Sequence, residues 1–407
     1  MKFPEQLKYI ILSLFLICIC NANGEEKQKG ADNQSPPVII DLNKRGKDWV
    51  PLRLSQFADS ISYIRLSGEF PDSEYLTKLK IIEDTIFLDF VDLYKYAPDG
   101  KFIKKVFDKE RHLVDIRKLG RVAYNKKQRY LTFNTMTTYT RKISDYKNYS
   151  YDGTVLPGET KYQLENGNKI IETFLDDYCI YRIDQELPEK GSMEKVNLLG
   201  PFLFYVENVN TGSVIFSYPN PSAKDSYPFR SKNGFIPENT NFINIDSVLW
   251  FKHFVIDTLY STEDFVTIQP RYVFKTDKSF LTMQKYTQLR NGLLSDEEVG
   301  PISVIWGILP LPTGGLLITI NSNRNALADK NGNMTGYSRE NVINNLDDYL
   351  NDINIRIYLT NRLFHIENNY LYVLVAAGHF FKEGCKPPFD DYTKDSAPII
   401  LKIKLKT

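Results

Sequence analysis

An all-β fold assembled from repeated small sheets is predicted for this chain by three observations. They are its aromatic content, a Gly-turn hairpin that recurs along it, and strand-like segments near both ends. The 407 residues include 26 Tyr, 25 Phe and 3 Trp against 5 Met and 4 Cys. Flat and β-branched side chains fill pleated surfaces well, so this content leans toward sheet. With 42% hydrophobic and 25% charged residues, the chain can also bury a large core.

The recurring hairpin is a Tyr-rich or Val-rich strand, a Gly turn and a second short strand. Tyr94-Lys95-Tyr96-Ala97-Pro98-Asp99-Gly100-Lys101-Phe102-Ile103 is one copy and Tyr149-Ser150-Tyr151-Asp152-Gly153-Thr154-Val155 another. Asp-Gly supplies the positive φ that tight hairpin turns need. Residues 206–214 around Gly212 give a looser copy, residues 274–280 a Gly-less one, and Asn331-Gly332 a further one. From Gly100 the spacings are 53, 59, about 66 and about 54 residues, a period suited to the blades of a β-propeller. A second device, an Asp and a hydroxyl residue ahead of an apolar strand, recurs at Asp84-Thr85, Asp246-Ser247 and Asp257-Thr258. Its repetition at strand starts marks it as turn scaffolding, with Asp and Thr side chains bonding nearby backbone amides.

Residues 38–42 (Val-Ile-Ile-Asp-Leu) and 398–405 both read as strands, and their pairing is expected to close the ring. Dividing residues 38–407 among six blades gives about 62 residues each, and among seven about 53, both admissible for four-stranded blades with insertions. One segment departs from the β pattern. In residues 338–353, Val342, Leu346, Tyr349, Leu350 and Ile353 share a helical face behind Ser338, which predicts a short helical insertion before the last blade.

Lys2 and Lys8 precede an apolar run over residues 9–20, too short for a stable membrane span and the right length for an export signal. Residues 1–24 are therefore expected to be a signal peptide, 25–37 a flexible tether and 38–407 the propeller domain. Ala22-Asn23-Gly24 offers an ordinary cleavage site, whereas Cys20 resembles the lipidated Cys of a bacterial lipoprotein, with Ile19 where such boxes carry a smaller residue. Lipidation at Cys20 would make an N-terminal anchor the protein's contact with a membrane. Beyond residue 24, 49 basic residues meet 49 acidic ones, so no basic field invites nucleic acid. Cys179 and Cys385 lie in segments set about three blades apart, and a disulfide between them is not expected.

Several stretches together resemble a family. Residues 57–66 and the strand that follows, Tyr96 to Phe102 with its Asp-Gly turn, and Asp257-Thr258-Leu259-Tyr260 ahead of Gln269-Pro270-Arg271-Tyr272 carry the likeness, as does the closing run 397–406. They are similar to a family of six-bladed β-propellers among uncharacterised bacterial cell-envelope proteins, many of which begin with lipoprotein signals. The resemblance spans about residues 38–407. It implies six blades and an exported location, in the periplasm or anchored to the outer membrane of a Gram-negative bacterium. It implies no chemistry.

No nucleophile elbow, His-Glu-x-x-His pair, phosphate loop, dinucleotide fingerprint or Cys-x-x-Cys pair is present, and no catalytic residues are assigned. Of His112, His253, His365 and His379, those at 253 and 365 sit in strand-like runs and read as packed. His379 follows a strand into a loop, which makes it a ligand-binding candidate. Tyr218, Tyr227 and Phe229, among prolines, could form a stacking platform for a sugar or peptide. Asp329, Asn331, Asn333 and Glu340 fall at positions 1, 3, 5 and 12 of a calcium-loop pattern, yet Met334 stands where that loop needs Gly. Calcium is thus a weak expectation, and no cofactor is otherwise indicated.

The function expected from these readings is a binding module without catalysis, taking a small glycan or peptide ligand or an envelope protein partner. The rival expectation is a glycan-active hydrolase or lyase whose carboxylates converge at the channel mouth from different blades.

Overall fold

The computed structural model describes residues 35–43, 50–70, 78–89, 92–107, 119–136, 143–157, 163–164, 167–184, 202–219, 240–277, 280–290, 303–320, 324–339, 341–353 and 364–407. Cys20, the export signal and most of the tether lie outside these residues, as do His112, Tyr227, Phe229 and Glu340. Residues 37–407 form one compact unit.

That unit is a six-bladed β-propeller. In ring order the blades begin at the strands Lys78–Ile82, Leu119–Asn125, Gly167–Leu175, Thr240–Ile245, Ile305–Pro310 and Phe364–Glu367. Each is followed outward by antiparallel neighbours, and in the third blade the two-residue strand Gln163–Leu164 pairs on the other side of Gly167–Leu175. The first and second strands are joined by very short turns. At Glu83-Asp84, Asp246-Ser247 and Asn368-Asn369 both central residues have positive φ, the conformation whose twist matches a two-residue hairpin. The Asp of the Asp-hydroxyl device thus serves by tolerating the left-handed region. At the third copy, Thr258 Oγ1 instead donates to Asp257 Oδ1 at 2.9 Å.

Gly100, Gly153, Gly212 and Gly332 all have positive φ at the outer hairpins of their blades. The Gly-less copy at residues 274–280 is not such a hairpin. Phe274 belongs to the outer strand Gln269–Lys275, which pairs back on Thr258–Thr262, and Phe265 takes the positive φ in the turn between them.

Ring closure differs from expectation in its strand. The C-terminal Ile399–Leu405 pairs on one side with Tyr370–Val375 and on the other with Ala58–Arg65, which completes the last blade. Val38–Asp41 is a strand, but it runs parallel to Gln269–Lys275 on the outer edge of the fourth blade. From there the N-terminal segment laces successive outer edges. Leu52 N–H donates to the Tyr337 carbonyl on the fifth blade, residues 58–65 form the edge of the sixth, and Ser67 N–H donates to the Gly100 carbonyl on the first. Covering these edges satisfies backbone groups that would otherwise template aggregation.

Residues 338–353 are not helical. Val342–Ile343 pairs with Asp352–Ile353 in a small hairpin, and Val342, Leu350 and Ile353 still reach the core. The helical face was real as a burial pattern, but Asn and Asp side chains capture the backbone. Asn344 Nδ2 donates to the Leu350 carbonyl at 2.7 Å, Leu346 N–H to Asn344 Oδ1 and Tyr349 N–H to Asp347 Oδ1. Among the described residues the α-helix is Met283–Arg290, after the fourth blade. Cys179 and Cys385 are both free thiols.

Candidate functional site

Inner strands of five blades line an axial cavity of about 280 Å³ that is open to solvent on one side. It runs from Lys78, Thr240 and Phe364 at the strand starts to Asp176, Asp246 and Asn368 in the turns. Strand alternation explains which side chains reach it. In Lys78–Ile82, Leu79 and Ile81 enter the core shared with the last blade, while Lys78, Lys80 and Ile82 line the cavity. In Phe364–Glu367, Phe364 and Ile366 pack into the largest apolar cluster, and His365 and Glu367 turn toward the first blade.

One wall is cationic. Lys126 Nζ donates to Glu367 Oε1 at 2.5 Å, and Lys78 Nζ lies 3.7 Å from Asp89 Oδ2, a carboxylate only 3% exposed. Lys80 sits between these pairs. Burial, with the repulsion of Lys126 and Lys78, lowers its pKa from 10.5 to about 8, against the opposing pull of Asp89 and Glu367. That lowering corresponds to roughly 3 kcal/mol against charging the amine.

His365 is 8% exposed and held neutral. Burial chiefly, then Lys80 and Lys126, press its pKa well below the usual value, against a hydrogen bond with the Ile81 backbone. An imidazole that donates through Nδ1 carries its lone pair on Nε2. That Nε2 has no hydrogen-bond partner, and Glu367 Oε2, at 3.9 Å, is beyond hydrogen-bond reach. The Tyr124 hydroxyl is likewise buried without a partner, and burial and Asp89 push its pKa far up. The opposite wall carries Glu172, Thr173, Asp176, Asn244 and Asp246. Glu172 is held by Arg182 Nε at 2.8 Å, and Asn244 Nδ2 donates to the Phe174 carbonyl at 3.0 Å, tying the fourth blade to the third.

The candidates named from sequence are not brought together here. His379 lies in the 3₁₀ turn Ala377–Phe381 with Lys382 Nζ 3.3 Å from its Nδ1, away from the cavity lining. Tyr218 is stacked on Phe204 at 5.3 Å and packs against Phe251, as part of the core between the third and fourth blades. Asp329 accepts from the N–H groups of Asn331 and Asn333 and from Asn333 Nδ2, so its carboxylate closes its own hairpin turn. Among the described residues no three His, Cys, Asp or Glu side chains gather as a metal site. His365, read from sequence as packed, is the histidine that reaches the cavity. The signal that marks the site is polar residues at alternate positions just before a tight turn: Lys78 and Lys80, Tyr124 and Lys126, His365 and Glu367.

No protein-family model matches the chain, and no curated protein matches it. Solved structures do. A Bacteroides fragilis protein assigned as exported superposes with a TM-score of 0.54 at 11% identity, over 91% of this chain and 100% of that one. The likeness shows a shared fold. A DUF4221 member from Bacteroides vulgatus follows at 0.47 and 12%, over 89% and 99% of the two chains. A virginiamycin B lyase from Staphylococcus aureus reaches 0.37 at 10%, over 85% and 99%.

Proposed function

We propose that this chain is an exported cell-envelope propeller that binds a small ligand in its axial cavity, without catalysis. The observation that carries this reading is the axial cavity itself, lined by charged and polar side chains from five blades, with His365 Nε2 and Tyr124 Oη buried without a partner in its wall. Leaving such atoms unpaired costs about 1–3 kcal/mol each, which marks this wall as built for more than packing. The rival reading, a glycan-active hydrolase or lyase, draws on Glu172, Asp176, Asp246 and Glu367 around the same cavity. Glu172 and Glu367 are already engaged by Arg182 and Lys126, so binding is the better fit.

Export is supported by the apolar run after Lys2 and Lys8 and by the exported assignment of the Bacteroides fragilis protein with this fold. Acylation of Cys20 would place the propeller at a membrane surface, in the periplasm or on the outer membrane. The test is ligand screening by NMR against small glycans and short peptides, with wild type beside Thr173→Trp, which fills the cavity from its wall. Compounds that bind wild type and not the filled variant support the reading. Equal binding by both variants places the site elsewhere and overturns it.

A further inference from the structure

The cavity wall built by the first, second and sixth blades holds three ammonium groups and two carboxylates. Lys126 is engaged by Glu367 and Lys78 lies beside Asp89, whereas the Lys80 ammonium makes no hydrogen bond or ion pair among the described residues. Lys80 is half-buried at the cavity wall, where its amine is open to an anion. Tyr124 Oη, near the same Asp89, has a hydroxyl proton and no acceptor for it. His365 Nε2 is the complement: a lone pair with no donor. Of the three ammonium groups on this wall, Lys80 is thus the one left for a ligand.

Resting on the ligand-binding reading above, we propose that the ligand is a polyhydroxylated organic anion, a sugar acid or a sugar phosphate. Its oxyanion seats on the Lys80 ammonium, at the cavity wall. A carboxylate and a phosphate share this chemistry, since both present oxygens that accept charge-assisted bonds. The opposite wall, with Thr173, Asn244 and Thr240 beside the carboxylates of Glu172, Asp176 and Asp246, suits the ligand's hydroxyls, which can donate to it.

The experiment is calorimetric titration of the purified protein with glucuronate, glucose 6-phosphate and glucose. The two anions are expected to bind at least tenfold more tightly than glucose, and the tighter of them tells carboxylate from phosphate. Lys80→Met is expected to lose that preference and, without ligand, to melt higher than wild type, because it removes a charge repelled by Lys126 and Lys78. Lys80→Arg is expected to keep the preference. If glucose binds as tightly as the anions, the oxyanion inference fails while the cavity reading survives. If none of the three binds wild type, the oxyanion inference fails, and the cavity reading stands or falls on the screen with Thr173→Trp. Retention of anion preference by Lys80→Met, or a lower melting temperature for it, overturns the seat at Lys80.

Discussion

Gly100 stands so close to Arg65 that a Cβ placed on it would meet the Arg65 carbonyl oxygen at 2.1 Å. Arg65 ends the outer strand of the sixth blade, and Gly100 turns the outer hairpin of the first. The relationship repeats around the ring. Gly153 of the second blade meets the Val106 carbonyl of the first at 2.6 Å, and Gly332 of the fifth meets the Ile39 carbonyl on the edge of the fourth at 2.2 Å. The Asp-Gly device therefore does more than reverse the chain: it lets each outer turn press against the backbone of the preceding blade.

Gly212 breaks this pattern, because nothing lies within 4 Å of its Cβ direction. Gly100→Ala should therefore destabilise more than Gly212→Ala, although both have positive φ. The Gly212 change should cost about 1–2 kcal/mol of left-handed strain, and the Gly100 change that plus displacement of the Arg65 strand. Urea unfolding midpoints of the two variants check this, and equal losses would refute the contact.

The two N-terminal strands have different duties, so truncations should separate them. A chain beginning at residue 50 lacks Val38–Asp41 and uncovers one edge of the fourth blade, yet the ring remains closed. It should fold with reduced stability. A chain beginning at residue 68 lacks Ala58–Arg65, the outer strand of the sixth blade, and should expose the edge of Ile399–Leu405 and aggregate. Size-exclusion chromatography distinguishes these outcomes, and a monomeric, folded second truncation would contradict the closure described here.

Much of this architecture was legible because turn chemistry and strand period are local. Gly100, Gly153, Gly212 and Gly332 revealed the blade spacing since their backbone conformation leaves a residue-level signature. The partner of Val38–Asp41 was not legible: an apolar strand near a terminus says that it pairs, and the pairing itself depends on contacts more than 200 residues away. The segment around Asn344 misled because its apolar spacing fits a helix while its Asn and Asp side chains bond the backbone into turns. The cavity was obscured for a similar reason. His365 sits in a short strand, and only the ring brings it to the cavity that Lys80 and Tyr124 also line.

Outside the cavity, Lys252 and His253 should make stability depend on pH. Burial lowers Lys252 to about 7, against the pull of Asp257, and burial with the neighbouring Lys252 lowers His253 to about 3. Lys252 Nζ donates to the carbonyls of His253 and Phe254, while neither His253 nitrogen has a partner. Both folded pKa values lie below the unfolded ones, so the unfolded chain binds more protons and stability rises with pH in each window. Melting temperature should fall on acidification from about pH 10.5 to 7 through Lys252, and again from about 6.5 to 3 through His253. Lys80 and His365 add in the same direction. Lys252→Met should raise stability at pH 7 by roughly 1–3 kcal/mol and flatten the upper limb. An unchanged upper limb in that variant would show that Lys252 is not its source.

Anion binding at Lys80 should itself move a proton. In the free protein Lys80, faced by Lys78, Lys126, Asp89, Glu367 and His365 with Tyr124 alongside, is partly neutral near pH 8. An oxyanion on its amine favours the charged form and raises its pKa, so binding near pH 8 must take up part of a proton. Affinity should accordingly fall as pH rises from 8 toward 10, where the free amine is neutral and charging it opposes binding. Near pH 6 Lys80 is already protonated, and its share of the uptake should vanish. Calorimetry of glucuronate binding at pH 8 in buffers of different ionisation enthalpy measures the uptake directly. Buffer-independent heats at pH 8 would mean that the anion, wherever it sits, does not meet this lysine.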